Sequence, residues 1–387
     1  MMYQMDELEL ASGRLSGFDP IAPPPTTDVS PRTALENSLR ECLSRQPCMI
    51  AFSGGRESSA LLAVAVHVAR RDGLPLPTAL TLRYLNAPRT EESKWQRLVL
   101  DHLGVGDHHH VLTIGDDHDV IGPVAAPLLR RHGVIWPGTF PVIWSMLNVA
   151  RGGVLVEGNG GDEILGTRRI TPVRNVLRSV RSGERPRGCR AALRAVSPQP
   201  VRRHLALRDV WRPGWLREPV ASTVARRRAF DDAAMSPHAG KQTWELAHRR
   251  MYRRFVDLAT TLAAELGTEY RAPLLEPVFL SALARELGPW GWRDRTDSMT
   301  RLFGDVLPPA VLGRTSKALF TQVNFTEHSR EFARSWDGTG INDSIIDGEL
   351  IRAEWLSPLP RFGAMAPLQS AWLAGQPRAT GSDGAPV

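Results

Sequence analysis

Apolar residues recur along the chain in two alternating rhythms. Short apolar runs at 48–52, 79–82, 109–114 and 154–156 have the length and composition of strands. Between and around them, segments at 33–45, 59–71, 91–103, 124–131 and 140–151 repeat apolar side chains every three to four residues, which predicts helices. Strands that alternate with helices predict an α/β fold: a parallel sheet, with ligands outside the carboxyl ends of its strands. From about residue 168 the strand rhythm fades, and 244–266, 277–287 and 298–306 read as helices packed on the sheet rather than as a separately folding domain. Residues 1–30, with Pro20 and the run Pro23-Pro24-Pro25, read as a poorly ordered leader, and 379–387 as a disordered tail, leaving 31–378 as the folded unit.

Two of the predicted strands run straight into glycine-rich loops. After 48–52 comes Ser53-Gly54-Gly55-Arg56-Glu57-Ser58, followed at once by a helix pattern. Adjacent glycines let the backbone approach an anion closely, the hydroxyls of Ser53, Ser58 and Ser59 can donate to its oxygens, and a helix N-terminus adds partial positive charge. The loop is a phosphate cradle in type, yet no Gly-Lys-Ser/Thr closes it and its glycines are not spaced as in the dinucleotide fingerprint. After 154–156, Glu157-Gly158-Asn159-Gly160-Gly161-Asp162-Glu163 repeats the arrangement and ends in two carboxylates.

The first loop resembles the pyrophosphate-binding Ser-Gly-Gly-x-Asp-Ser loop of the ATP-pyrophosphatase (PP-loop) enzymes, with Glu57 where that family has Asp. Paired with the second loop about a hundred residues downstream, it resembles the synthetase domain of the asparagine synthetase family, whose Gly-x-Gly-x-Asp-Glu element falls there. Two further matches follow in order. Arg271-Ala272-Pro273-Leu274-Leu275-Glu276 is similar to the family's Arg-x-Pro-Phe-Leu-Asp, and Leu307-Pro308-Pro309 with Arg314-Thr315-Ser316-Lys317 to its Leu-Pro-x-x-hydrophobic-x-x-Arg-x-x-Lys. The resemblance spans roughly residues 45–325, a co-occurrence that chance motif matching does not produce.

The resemblance implies a Rossmann-like PP-loop core of the adenine nucleotide alpha hydrolase type, with an α-helical C-terminal region. It implies ATP and Mg2+ as ligands: a substrate carboxylate attacks the α-phosphorus, pyrophosphate leaves, and an amine opens the acyl-adenylate. Ser53, Gly54, Gly55, Ser58 and Ser59 fall in the nucleotide cradle, Gly158 and Gly160 in its companion loop. Thr81 and Leu82, ending the second strand, fall beside adenine, although a plain core-strand role suits those two equally well. Glu57 and Asp162 match the two metal-binding carboxylates; Glu57 keeps the charge but adds a methylene, and magnesium tolerates little distortion. Lys317 matches the lysine that contacts phosphate and stabilises adenylation and amide formation, and Arg314 is a further catalytic candidate. Asn159 stands where asparagine synthetases have Glu and β-lactam synthetases have a Tyr working with a carboxylate from a later helix; asparagine is no base at neutral pH. Asp257, on the helix before 271–276, is placed for such a carboxylate, with a solvated helix acid as the plainer alternative.

Composition narrows the partners. The chain of 387 residues carries a net charge of +7, almost all of it from arginine, since lysine occurs only at 94, 241 and 317. Seventeen arginines lie between 168 and 228 against Glu184, Asp209 and Glu218, within an Arg-rich insertion spanning about 168–240. Such a stretch suits ATP or an acidic peptide, or is a solvated face with no partner at all. Nucleic acid is disfavoured, because no aromatic stacking pattern or recognition helix accompanies the charge. Cys42, Cys48 and Cys189 make no Cys-x-x-Cys pair and indicate neither disulfides nor a zinc site. The run His108-His109-His110 with its neighbouring aspartates lacks metal-ligand spacing and reads as the lead into a strand. The longest apolar stretch, 60–69, is too short to span a bilayer and the acidic start is no signal peptide, so a cytoplasmic protein is expected.

About fifty residues precede the first loop and the second residue is Met2, so no glutaminase domain is expected there. The resemblance then points to the branch that uses an amine of its own substrate, as in β-lactam synthetases and lasso-peptide cyclases. The expected activity is an ATP-dependent amide ligase acting on a small-molecule or peptide substrate in natural-product modification, with a precursor peptide or a separate glutaminase or protease as partner. Ammonia-dependent asparagine synthesis is the alternative within the class, and a catalytically inactive PP-loop scaffold the alternative outside it. A tRNA-thiolating enzyme is disfavoured by the lack of paired cysteines.

Overall fold

Strands β1 (Cys48–Ala51), β2 (Thr78–Tyr84), β3 (His109–Ile114), β4 (Val154–Val156) and β5 (Glu269–Arg271) pair in the order β3-β2-β1-β4-β5, every neighbour parallel. The computed structural model describes residues 2–85, 87, 90–316 and 321–376. β5 falls where only helices were expected, because a three-residue strand with Tyr270 alone buried carries too little pattern to read.

Side-chain alternation divides the core. Cys48, Ile50, Phe52, Val154 and Val156 pack on one face of the sheet, under helices Pro31–Leu43, Arg56–Asp72, Ser93–Leu103 and Pro277–Leu287. Met49, Ala51 and Leu155 pack on the other, under Ala125–His132, Phe140–Val149 and Arg250–Glu265. Covering both faces is what a parallel sheet of near-continuous apolar strands requires. From β1 the chain proceeds to β2 and β3 on one side and later to β4 and β5 on the other, so the strand order reverses between β1 and β4. Both glycine loops leave the carboxyl ends of those two strands.

The expectation of a poorly ordered leader is corrected. Residues 6–13 form a capped helix, Glu7–Ser12, in which Asp6 and Glu9 make reciprocal cap bonds and Gly13 closes the end in the left-handed region. The proline-rich part lacks amide donors but keeps its carbonyls, and side chains of the folded unit donate to them: Trp244 Nε1 to Ala22 O at 2.8 Å and Ser281 Oγ to Pro25 O at 2.6 Å. The Arg-rich stretch forms helices Thr171–Arg181, Cys189–Val196, Gln199–Asp209 and Val220–Ala234. The expected tail at 379–387 lies outside the described residues. Among the described residues no helix is long and apolar enough to cross a membrane.

Candidate functional site

A cavity of about 600 Å³ opens where the strand order reverses. The first loop enters it because Gly54, at φ 81°, turns the chain in the left-handed region, and a Cβ there would sit 3.1 Å from Gln96 Cγ. Gly55 then caps helix Arg56–Asp72 without a side-chain bond, so the start of that helix faces the cavity with no side-chain cap. Ser53 and Ser58 hold the turn together, their hydroxyls 3.1 Å apart, with Gly55 N donating to Ser53 Oγ at 3.2 Å.

The second loop closes over the first. A Cβ on Gly161 would fall 2.6 Å from Glu57 Cγ and 2.7 Å from Leu274 Cδ1, so only glycine permits this approach. Gly160, at φ 75°, lies equally close to Leu275. The segment Arg271–Glu276 is therefore the floor of the second loop rather than part of the cavity wall, its ends tied by Arg271 Nε donating to Glu276 Oε1 at 2.8 Å. Arg168, buried and bearing a pKa lowered to about 10 by that burial, donates to Glu163 O at 2.8 Å and Gly166 O at 2.9 Å and so holds the turn that carries Asp162.

Of the expected residues, Ser53, Gly55, Glu57, Ser58, Leu82, Gly158, Gly160, Asp162 and Arg314 line the cavity. Gly54 shapes the loop without lining it. Ser59 is turned into the core with its hydroxyl unpaired. Thr81, expected beside adenine, is buried between strands instead: it donates to Phe52 O at 2.9 Å and pairs with His109 Nε2 at 2.9 Å. Asp257 is corrected outright. It lies five residues beyond Tyr252, a cavity residue, hence about 140° round the helix, and is exposed and ion-paired with Arg254. Arg314 lines the cavity but its guanidinium is committed: it stacks on Trp95 at 4.8 Å, donates to Gly54 O at 2.6 Å and pairs with Glu92. It is a clamp on the first loop. Lys317 lies outside the described residues.

Glu57 and Asp162 face one another across the two loops, yet a protein cation stands between them. Arg295 donates through Nη2 to both carboxylates and through Nε to Glu57 Oε1 at 3.0 Å. Burial raises the Glu57 carboxyl above its ordinary range against the pull of Arg295. Burial works to lower the Arg295 pKa, but its carboxylate partners raise it, so the guanidinium stays charged. Among the described residues no group of three or more His, Cys, Asp or Glu could hold a metal ion. In this arrangement Arg295 occupies the space between Glu57 and Asp162 where the resemblance expects magnesium.

Two further residues line the wall, of which the sequence had singled out only Asn159. Glu157 accepts from Tyr270 OH at 2.8 Å, and burial raises its pKa against that bond. Asn159 lines the cavity with its Nδ2 buried and without a hydrogen-bond partner. Glu157 sits inside the quoted loop but outside the resembling motif, so nothing set it apart.

No curated protein is similar enough to be matched to the chain. The family model described as asparagine synthase matches residues 31–372, nearly all of the described fold. With two glycine loops meeting where the strand order reverses, the chain belongs to the asparagine synthase family and is in kind an ATP-dependent ligase that forms carbon–nitrogen bonds.

Proposed function

We propose that the chain adenylates a substrate carboxylate, releasing AMP and pyrophosphate, and joins it to an amine carried by the substrate itself, in the modification of a peptide or other natural product. The observation that carries the reading is the convergence of the uncapped helix N-terminus at Gly55 with the second glycine loop around one cavity. Amides at that helix start and serine hydroxyls are donors for a leaving pyrophosphate, and donors fixed before the reaction stabilise the charge that develops as it departs. The unpaired Nδ2 of Asn159 is a donor for the acyl oxygen.

Asn159 also bears on the amine. An amide side chain takes no proton, so the nucleophile enters as a neutral amine or passes its proton elsewhere. A cavity of about 600 Å³ is of a size that takes a nucleotide, and a peptide substrate presents its reacting end to it. Asparagine synthesis from ammonia needs no such presentation and remains the second reading.

Analysis of the nucleotide product tests the proposal. AMP with pyrophosphate is expected on turnover of a carboxylate–amine substrate, and isotope exchange from pyrophosphate into ATP with the carboxylate alone. ADP as the product rules out adenylation; exchange with aspartate and amide formation from ammonium favour the second reading.

A further inference from the structure

We propose that Arg295 is the resident cation of the pyrophosphate site. In this chain Glu57 and Asp162 hold a guanidinium between them instead of a divalent metal, and a nucleotide's pyrophosphate binds to that guanidinium. The inference rests on the nucleotide reading above and adds a ligand-binding residue to it.

The geometry is specific to these side chains. Arg295 is the first residue of helix Arg295–Phe303, whose N-cap Asp294 accepts from Asp297 N at 2.9 Å and fixes where the side chain starts. Nε and Nη2 are taken by the carboxylates, whereas among the described residues Nη1 makes no hydrogen bond and the side chain is 30 % exposed in the cavity wall. A guanidinium spreads its donors in a flat fork, so one edge can be fixed by carboxylates while another faces a phosphate. The longer stem of Glu57 belongs to the same arrangement. Its Cγ lies 2.6 Å from where a Cβ on residue 161 would fall, so glycine there makes room for the extra methylene that carries the carboxylate to Nε. Arg56, its pKa lowered first by burial and then by repulsion from Arg295, donates to Arg314 O and Thr296 Oγ1 and places a second positive charge beside the first loop. A divalent ion that enters this site therefore arrives on the nucleotide's phosphates and is not anchored by the carboxylate pair.

The test uses the full chain and two probes, manganese(II) followed by its free-ion spin-resonance signal and inorganic pyrophosphate followed by calorimetry in EDTA. Wild type is expected to take up no stoichiometric manganese and to bind pyrophosphate without metal. Arg295→Met is expected to weaken pyrophosphate by about ten- to a hundredfold, the loss of a charge-assisted contact. It also removes the guanidinium from between the carboxylates and is expected to gain one manganese site, which a second change, Asp162→Asn, removes. Arg295→Lys, which keeps the charge and guards against a folding artefact, is expected to recover part of the pyrophosphate affinity. One manganese per wild-type chain that Asp162→Asn abolishes, or unchanged pyrophosphate affinity in a folded Arg295→Met protein, overturns the assignment. Pyrophosphate that binds wild type neither with nor without magnesium overturns the nucleotide reading, and Arg295 with it. The manganese arm reads the carboxylates whether or not the protein makes AMP.

Discussion

Glu157 holds its proton more tightly in the folded chain than its ordinary pKa of 4.5 allows, because burial outweighs the bond from Tyr270. An acid whose pKa is raised by folding contributes stability while protonated and loses it as pH rises from 4.5 through the raised value. Glu157→Gln removes that titration, so the variant's melting temperature is expected to fall less than that of wild type over this window; parallel slopes in melts across pH 4–8 would remove Glu157 as a source. Lys317 is assigned by the resemblance alone, since it lies outside the described residues. Lys317→Arg is expected to be nearly as damaging as Lys317→Ala, about a hundredfold to a thousandfold in rate, because a planar fork does not stand in for a compact ammonium that follows phosphate oxygens. Kinetics beside thermal melts separate this from a folding loss. At this scale the facing pair Glu57 and Asp162 was legible in the sequence, since each ends a glycine loop after a strand. Arg295 was not. In a chain that takes nearly all its basic charge from arginine, no local pattern marks Arg295 as an arginine that the fold carries across to those carboxylates.

Elements were legible where their pattern was long. The helix after the first loop was expected at 59–71 and runs Arg56–Asp72, and β4 occupies its expected three residues. β5 and the short turn Gly161–Ile164 were not foreseen as elements, because so few residues cannot express a period and their order comes from tertiary contacts. Gly161 shows what that order depends on. With Glu57 Cγ at 2.6 Å and Leu274 Cδ1 at 2.7 Å from the place a Cβ would take, Gly161→Ala must push the two loops apart. The expected cost is about 1–3 kcal/mol in denaturant unfolding, with a matching loss of pyrophosphate affinity. A variant that retains both would mean the second loop yields without disturbing Glu57.

Across the whole molecule, the segment expected to be a loose leader ties the two sheet faces together. On one side Trp244, Ser281 and Arg285 donate to carbonyls of Ala22, Pro25 and Val29. On the other, Asp19 accepts from Arg254 Nη2 at both carboxylate oxygens, at 2.8 and 2.9 Å, and Glu9 pairs with Arg250. Trp215 and Trp136 reach Ala11 O and Gly13 O. Polar and proline-rich composition argued for disorder because it offers little apolar area to bury, but the donors that fix this stretch sit more than a hundred residues away in sequence, beyond any local reading. Arg250 and Arg254 flank Met251 and Tyr252, which line the cavity, so the strap bears on the site as well as on stability. Deleting residues 2–30 strands these indole and guanidinium donors and is expected to lower the melting temperature by about 5–10 °C, at about 2–4 °C for each kcal/mol lost. Pyrophosphate affinity should fall with it, because the helix Arg250–Glu265 loses the partners that fix its first turns. Equal melts for the deleted and full chains would show that these hydrogen bonds add nothing to the fold. A lower melt with unchanged pyrophosphate binding would confine the strap's role to stability.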